Sequence, residues 1–237
     1  MEAEKGSAPE LARLASRYGL GERQCGQLAE LLSTLESDRR APTAVRETAR
    51  AVGVHVADSL SGLELEAVRS AGNIADLGAG AGFPGLVLAV ALPASEVRLV
   101  ESQSRKCAFL RDVLERTGVQ NARVVCLRAE DWTEGLGEHD LAVARALAAQ
   151  PVVLEYGAPL LRLGGSLVDW RGRRSPTEEA AALRAAEELG LERVEVRRVI
   201  PFDEARDHHL HRFVKVAATP ERFPRRAGLA RKRPLGR

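Results

Sequence analysis

Two stripes of apolar positions open the chain on a helical period. Leu11, Leu14, Ala15 and Tyr18 form one, and Leu28, Leu31, Leu32 and Leu35 the other, so residues 10–35 are predicted to be helical, divided at Gly19 and Gly21. Asp38-Arg39-Arg40-Ala41-Pro42 is a polar break. Thr43 is expected to cap a further helix through Val52, with Gly53 interrupting it and His55–Leu60 forming another short piece. From Asn73 the pattern changes. Apolar runs at Ile74–Leu77, Val97–Val100, Ala122–Leu127, Leu141–Ala144 and Ser166–Trp170 predict strands. Leu86–Leu92, Ser104–Thr117, Pro151–Leu161 and Pro176–Leu189 predict helices between and after them. Gly118, Gly190 and the pair Gly164-Gly165 stand where those helices would be capped. Such alternation implies a parallel sheet covered by helices on both faces. The end breaks the rhythm: Val194–Ile200 and Leu210–Val216 are strand-like with no helix between them, so they must pair antiparallel. The predicted architecture is α/β: a doubly wound, mostly parallel, seven-stranded Rossmann-like sheet ending in a hairpin, with an N-terminal helical extension. The expected divisions are 1–65 for the extension, 66–219 for the sheet domain and 220–237 for a C-terminal tail.

Composition narrows the picture slightly. The 237 residues, 45% hydrophobic and 29% charged, suit one soluble core with an extension, and no apolar run is long enough to span a membrane. The polar, acidic start MEAEKGSAPE does not read as a secretory signal, so a cytoplasmic location is expected. Cys25, Cys107 and Cys126 form no C-x-x-C pair; they are expected to be small buried hydrophobes, with neither a disulfide nor a zinc site. His208, His209 and His211 lack an acid or cysteine to complete a metal set, and alternation separates His208 from the other two. No metal is expected. Net charge is only +2, but Arg222, Arg225, Arg226, Arg231, Lys232, Arg233 and Arg237 crowd the C-terminal end, a pattern suited to phosphate backbones.

Chemistry concentrates in Asn73-Ile-Ala-Asp-Leu-Gly-Ala-Gly-Ala-Gly-Phe-Pro-Gly85. A strand feeding a glycine turn that opens a helix lets the backbone approach a ligand closely and presents free N–H groups. Gly78, Gly80 and Gly82 alternate as G-x-G-x-G rather than as the dinucleotide fingerprint G-x-G-x-x-G, and Phe83-Pro84 stands at the helix start, removing one N–H. A diphosphate would meet a poor cradle, which favours S-adenosylmethionine, a cofactor without phosphate. The hairpin-closed sheet is also the layout associated with methyltransferases that use it. In doubly wound sheets, ligands lie beyond the carboxyl ends of the strands. Glu101, at the second strand's end and about 20 residues past the loop, is placed to accept both ribose hydroxyls. Ala129 and Glu130 follow the third strand, where a backbone N–H and a carboxylate can take adenine. Arg145 ends the fourth, placed for substrate or for the cofactor's methionine carboxylate. Asp76 is expected to orient the glycine loop through backbone N–H groups. Trp132 and Trp170 are aromatic candidates for base stacking, with Trp170, between Asp169 and Arg171 at a strand end, the better of the two, although burial as packing is the favoured reading.

These residues resemble the bacterial small-subunit ribosomal RNA guanine-N7 methyltransferases, the glucose-inhibited division protein B family. The loop Asp76-Leu-Gly-Ala-Gly-Ala-Gly-Phe-Pro-Gly85 is similar to its signature. So are Glu101-Ser102, Arg105-Lys106, Phe109-Leu110, Arg128-Ala129-Glu130, Arg145-Ala146, Leu160-Leu161-Arg162 with Gly164-Gly165, His55, Asp58-Ser59-Leu60 and the basic ending from Phe223 to Leu235. The resemblance spans roughly residues 28–235. The chain departs from the family at Leu35–Thr43, where the usual asparagines are missing, and at Arg171-Gly172, where lysine-glycine is usual. The resemblance implies transfer of methyl from S-adenosylmethionine to N7 of a guanine in the 530-loop region of 16S ribosomal RNA. It also implies cofactor contacts at Gly78, Phe83, Ala129, Glu130 and Arg145. Guanine N7 carries an in-plane lone pair and no proton, so no general base is required. Arg105, Lys106, Arg171, Arg173, Arg174 and the tail are the expected RNA contacts, and a monomer acting on the RNA, the small subunit or an assembly intermediate is expected. The competing readings are a methyltransferase of another RNA or of a small molecule, a nucleotide-dependent oxidoreductase, and a non-catalytic assembly factor.

Overall fold

A computed structural model of the chain describes residues 2–236, with side chains from Ala8 onward. Arg237 and the first seven side chains therefore lie outside the described residues. Helices α1 (Glu2–Tyr18) and α2 (Glu22–Ser37) form the predicted helical lead. On α2 the stripe Leu28, Leu31, Leu32 and Leu35 is fully buried, each side chain contributing about 1.5–3 kcal/mol of transfer free energy. Thr43 does not cap a helix. Its hydroxyl accepts the Val45 N–H (3.1 Å) and meets His55 Nε2 (3.0 Å), so the chain stays irregular until Glu47 caps α3 (Thr48–Ala51). Nor does Gly53 interrupt the run. It lies inside a widened π-helical turn, Val52–Ala57, that continues into α4 (Asp58–Leu60) and a tight 3-10 turn, Ser61–Glu64. The extra residue in a π turn re-aims side chains relative to a regular helix. Here His55 and Asp58 point at the sheet, as described below. The short α5 (Glu66–Arg69) leads into the sheet.

The strands are β1 (Asn73–Leu77), β2 (Glu96–Val100), β3 (Ala122–Val125), β4 (His139–Arg145), β5 (Leu161–Arg171), β6 (Leu191–Val199) and β7 (His208–Lys215). Their spatial order is β3-β2-β1-β4-β5-β7-β6, and only β7 runs against its neighbours, as the hairpin reading required. Helices α6 (Gly85–Ala91) and α7 (Ser104–Thr117) cover one face; α8 (Gln150–Gly157) and α9 (Pro176–Leu189) cover the other. Burial on both faces explains the unbroken apolar strands. Along β4, Leu141 and Val143 face the α6 side while Ala142 and Ala144 face the α8 side. The helical lead joins the first of these cores, with Leu28, Leu31 and Leu35 in one apolar cluster with Phe109 and Leu110 of α7.

Gly164 and Gly165 were expected to cap a helix but lie inside β5, which starts at Leu161 because α8 ends at Gly157. Their place is a bulge where the β4–β5 register shifts between His139 and Leu141. A side chain on Gly165 would strike the carbonyls of Arg162, His139 and Asp140 at 2.9–3.1 Å. A second correction concerns sulfur. Cys107 and Cys126 are paired, with Cα atoms 5.8 Å apart, because the β2–β3 register brings the first turn of α7 over the end of β3. The C-terminal segment is also not a loose tail. Phe223 and Ala230 are buried, and a last short helix, α10 (Leu229–Lys232), lies against α8.

Candidate functional site

Between β1 and β4 the chain reverses its direction of sheet growth, and the carboxyl ends of the strands part there. Asp76, the last acid before the turn, is fully buried, and its Oδ2 accepts the N–H of Gly85 at 2.9 Å. This joins the strand to the first residue of α6 across the loop. Burial raises the Asp76 carboxyl to about 7, against the opposing pull of that N–H. Gly78, Gly80 and Gly82 all adopt positive φ, the left-handed region a tight turn demands. Pro84 is the cap of α6 rather than its first helical residue, and Asp76 already takes the next N–H. The helix start therefore offers a phosphate even less than the spacing suggested.

A cleft of about 480 Å³ opens above this turn, a volume within the range of small-molecule sites. Gly78, Glu101, Ala129 and Glu130 line it, together with Lys106, Arg128, Leu147, Tyr156 and Arg231. Glu101 is held in place by two backbone donors: Gly80 N–H reaches its Oε2 (3.2 Å) and Gln103 N–H its Oε1 (2.9 Å). Each oxygen keeps acceptor capacity for a diol. Glu130 Oε1 accepts the N–H of Gly228, so the C-terminal segment touches the adenine end of the proposed site. The Tyr156 phenol, pushed up by burial and by Glu130, lies beside both Glu130 and Arg231. Two carboxylates at the ends of β2 and the β3 loop, over a turn stripped of side chains, fit an adenosine with no phosphate.

Four predicted contacts do not line the cleft. Gly80 stands in the turn and bears on the cleft only through its N–H to Glu101. Gly82 turns into the protein, where a Cβ would meet Leu86 at 3.1 Å. Phe83 is buried and stacks on His55, with centroids 4.5 Å apart, and the Arg145 guanidinium lies 5.3 Å above the same ring. Arg145 leaves the cofactor side altogether. Its Nη1 donates to Asp58 Oδ2 (2.9 Å) and Val54 O (3.0 Å), and its Nη2 donates to His55 Nδ1 (3.2 Å). That contact leaves the ring proton of His55 on Nε2, facing Val45 O at 3.1 Å. Burial and the neighbouring guanidinium hold His55 down to about 4, so it is neutral. His208 approaches the other oxygen of Asp58 at 3.0 Å. Burial alone would push the Asp58 carboxyl up, but His208 and Arg145 outweigh it and leave it lowered, while Asp58 raises His208 in return.

These groups line a second cleft of about 390 Å³, with Trp170, Arg171 and Gly172. Ala146 borders both clefts and adopts φ +53°, rare for a residue with a side chain. Trp170 is packing: its indole N–H donates to Asp58 O, and its ring occupies the space left by Gly62. Trp132 likewise packs on Gly135 and His139.

The expected RNA contacts separate into two groups. Arg171 pairs with Glu178 and Arg174 with Glu179, while Lys106 sits in the wall of the first cleft, 4.0 Å from Glu101. Arg105 is exposed, and the Arg173 side chain is 87% exposed beside Asp207. In the tail, Arg222 pairs with Glu188 and Arg225 with Glu155, whose side chain is wholly buried. His211, on β7, is 2% exposed with neither ring nitrogen bonded. Among the described residues no cluster of histidine, cysteine and acid could hold a metal, and no helix is long and apolar enough to cross a membrane. Sequence reasoning missed Tyr156, Leu147 and the role of Arg231 in the first cleft, and Asp58 with His208 in the second. His55 and Asp58 carried a signal through their place in the resemblance; Arg231 carried only that of a basic run.

Comparison with known proteins agrees with this geometry. The family model for rRNA small subunit methyltransferase G (GidB) matches residues 22–209. The chain is similar to the ribosomal RNA small subunit methyltransferase G of Chloroflexus aggregans, 39% identical over 222 residues covering 91% of this chain and 92% of that protein. That of Syntrophomonas wolfei is 40% identical over 183 residues, covering 76% and 85%. Among solved structures, a SAM-dependent methyltransferase from Aquifex aeolicus matches with TM-score 0.57 and 15% identity over 78% of this chain and 97% of that one. Aeropyrum pernix fibrillarin, in complex with natively bound S-adenosyl-L-methionine, matches with TM-score 0.54 and 22% identity over 67% and 73%. Identities this low speak to the fold alone.

Proposed function

The chain belongs to the rRNA small subunit methyltransferase G family, an S-adenosylmethionine-dependent class of enzyme, and from that premise we propose that it methylates N7 of one guanine in the 530-loop region of 16S ribosomal RNA. One observation carries the proposal beyond family membership: two clefts meet at Ala146 on the carboxyl edge of the sheet. The first has the carboxylates an adenosine needs. The second, walled by His55, Asp58, Arg145 and His208, has the breadth and polar groups to admit a splayed base.

S-adenosylmethionine, bound in the first cleft, supplies an electrophilic methyl on a sulfonium. In the proposed arrangement Glu101 accepts the ribose hydroxyls, Ala129 and Glu130 take adenine, and Gly78 lets the backbone close on the ligand. Asp76 fixes the loop through Gly85 and touches nothing that reacts. The second cleft holds the acceptor base with its in-plane N7 lone pair toward the junction. Arg145, locked between Asp58 and His55, sets the wall of that cleft rather than moving a proton. No side chain has to remove one, so rate enhancement rests on alignment and exclusion of water. Arg105, Arg173 and the exposed Arg226, Lys232 and Arg233 are proposed to meet phosphates, and a monomer working in the cytoplasm is proposed with them.

The deciding experiment gives purified small subunits and deproteinised 16S RNA a radiolabelled S-adenosylmethionine and maps the product. Label is expected on N7 of a single guanine of the 530 loop. Label on a ribose, on a pyrimidine or on many guanines would reject the acceptor assignment.

A further inference from the structure

We propose that Cys107 and Cys126 are a reversible thiol–disulfide site whose state sets how tightly the first cleft holds its ligand. The inference rests on reading that cleft as the S-adenosylmethionine site. Disulfides that form in reducing compartments are usually transient and catalytic or redox-sensing rather than structural. Here the bridge joins the two pieces of chain that carry the carboxylates of the cleft, Glu101 on one and Glu130 on the other.

Cys107 lies in the first turn of α7. Its N–H donates to Gln103 O at 2.9 Å, and the Gln103 N–H in turn holds Glu101 Oε1 at 2.9 Å. Its Sγ also stands 3.1 Å from Glu101 O, an acceptor already in place for the thiol once the bridge opens. Cys126 follows β3 directly and precedes Leu127, Arg128, Ala129 and Glu130, all four in the wall of the cleft. The strand ladder stops just short of it. Its last bond is Glu101 N–H to Val125 O at 3.0 Å, and β3 is the edge of the sheet. Among the described residues, the backbone of 126–130 makes only local turn bonds, to Asp131 and Trp132, and its hydrogen bonds to distant parts of the chain come from the Glu130 side chain. The bridge is therefore the covalent tie that fixes the adenine end of the cleft against the ribose end.

Access to the two sulfurs is unequal. Cys107 is fully buried, whereas Cys126 is half-buried beside the exposed Leu127 and Arg128, so attack falls on Cys126. A thiolate of a dithiol reductant bonds to Cys126 Sγ, the S–S bond breaks, and Cys107 leaves as a thiolate that takes up a proton. The reductant's second thiol loses its proton and attacks the mixed disulfide, and Cys126 leaves and is protonated in the same way. The enzyme gains two electrons and two protons, and the reductant becomes a disulfide. Oxidised glutathione closes the pair again in two exchanges, releasing two molecules of glutathione. With the bridge open, the ligand must order the segment that was ordered beforehand. Fixing about one residue's backbone corresponds to roughly 10-fold in affinity.

The test equilibrates the full chain with dithiothreitol or with oxidised glutathione, counts its thiols by alkylation and mass spectrometry, and titrates S-adenosylhomocysteine by calorimetry. The pair should close and reopen, with affinity about 10-fold higher in the closed state. Amides of 126–131 should exchange faster with deuterium when it is open while those of β1 and β4 stay protected, which separates local release from general unfolding. Cys126→Ser, at the more exposed of the two positions, should bind like the reduced chain in either buffer. Equal affinity in the two states overturns the proposal, as does a pair that stays reduced in oxidised glutathione. A redox response that persists in Cys126→Ser also overturns it, by moving the effect to the free Cys25. Glu101→Ala leaves both sulfurs in place and so reports on the cleft reading alone. It should weaken binding in both states. If it weakens neither, the claim on affinity falls with the cleft reading, while closing and reopening of the pair stands on the thiol count.

Discussion

Asp76 and Gly85 show how a single residue pair can set a loop. The carboxylate is buried, so it needs a donor. The donor it has is the Gly85 N–H, which it can approach only because Gly85 has no side chain. A Cβ there would lie 2.5 Å from Asp76 Oδ2 and 2.7 Å from Leu99 Cδ2, so the conflict is steric. Gly80 is the opposite case. Its φ of +57° disfavours a side chain, yet the nearest atom a Cβ would meet is Gly78 O at 3.6 Å. Gly85→Ala is therefore predicted to cost about 3 kcal/mol, from overpacking and a displaced buried hydrogen bond, and Gly80→Ala about 1 kcal/mol from backbone strain. Urea midpoints of the two variants check the ranking; equal or reversed losses would refute it. Asp76 could be assigned from the sequence because an acid just ahead of a glycine turn has few other donors within reach. Arg145 could not. A residue at a strand's carboxyl end can turn toward either side of the switch point, and what drew it away was Asp58, 87 positions earlier in the chain.

At the scale of elements, periodicity located the strands and helices of the sheet because both of its faces are buried by regular helices. It failed where a local partner overrode the pattern. Thr43 found Val45 and His55 instead of a helix end, and Gly164-Gly165 marked a bulge because three carbonyls crowd Gly165. The C-terminal segment is the largest such case. As a run of arginines it reads as a surface for phosphate backbones, yet Arg225 lies over α8 with both oxygens of Glu155 bonded to it, and the buried carboxylate raises the guanidinium. Removing one partner of a buried pair leaves the other charge without compensation. Arg225→Met should therefore destabilise the protein by about 3 kcal/mol, whereas Arg225→Met with Glu155→Leu should recover most of that loss. Chemical denaturation of the single and double variants tests this. A double variant as weak as the single one would show that Arg225 acts through its own packing rather than by neutralising Glu155.

Over the whole molecule, buried histidines and aspartates make stability depend on pH in opposing directions. His55 and His211 are depressed to about 4, chiefly by burial, and burial depresses His139 as well. Between 4.5 and 6.5 the unfolded chain takes up protons at these rings and the folded protein does not, so each makes stability rise with pH across that window. Asp76 and Asp169 are raised to about 7, again chiefly by burial. Over the same window they stay protonated when folded and ionise when unfolded, so each makes stability fall as pH rises. The histidines and the aspartates therefore oppose each other, and the free protein should show a shallower stability profile from pH 4.5 to 6.5 than the histidines alone would give. His208 enters later: Asp58 raises it, so its contribution is complete below 6.5 and is lost as pH climbs through the folded value. Replacing one member exposes the balance. His211→Leu removes a ring with no hydrogen-bond partner, so it should not unfold the protein, and it leaves the two aspartates opposed by His55 and His139. Its stability relative to wild type should then decline by up to about 1 kcal/mol per pH unit across the window, being most favourable at the acid end. Urea unfolding at pH 4.5, 5.5 and 6.5 measures that slope directly. Parallel curves for the two proteins would mean that His211 titrates normally in the folded state and takes no part in the opposition.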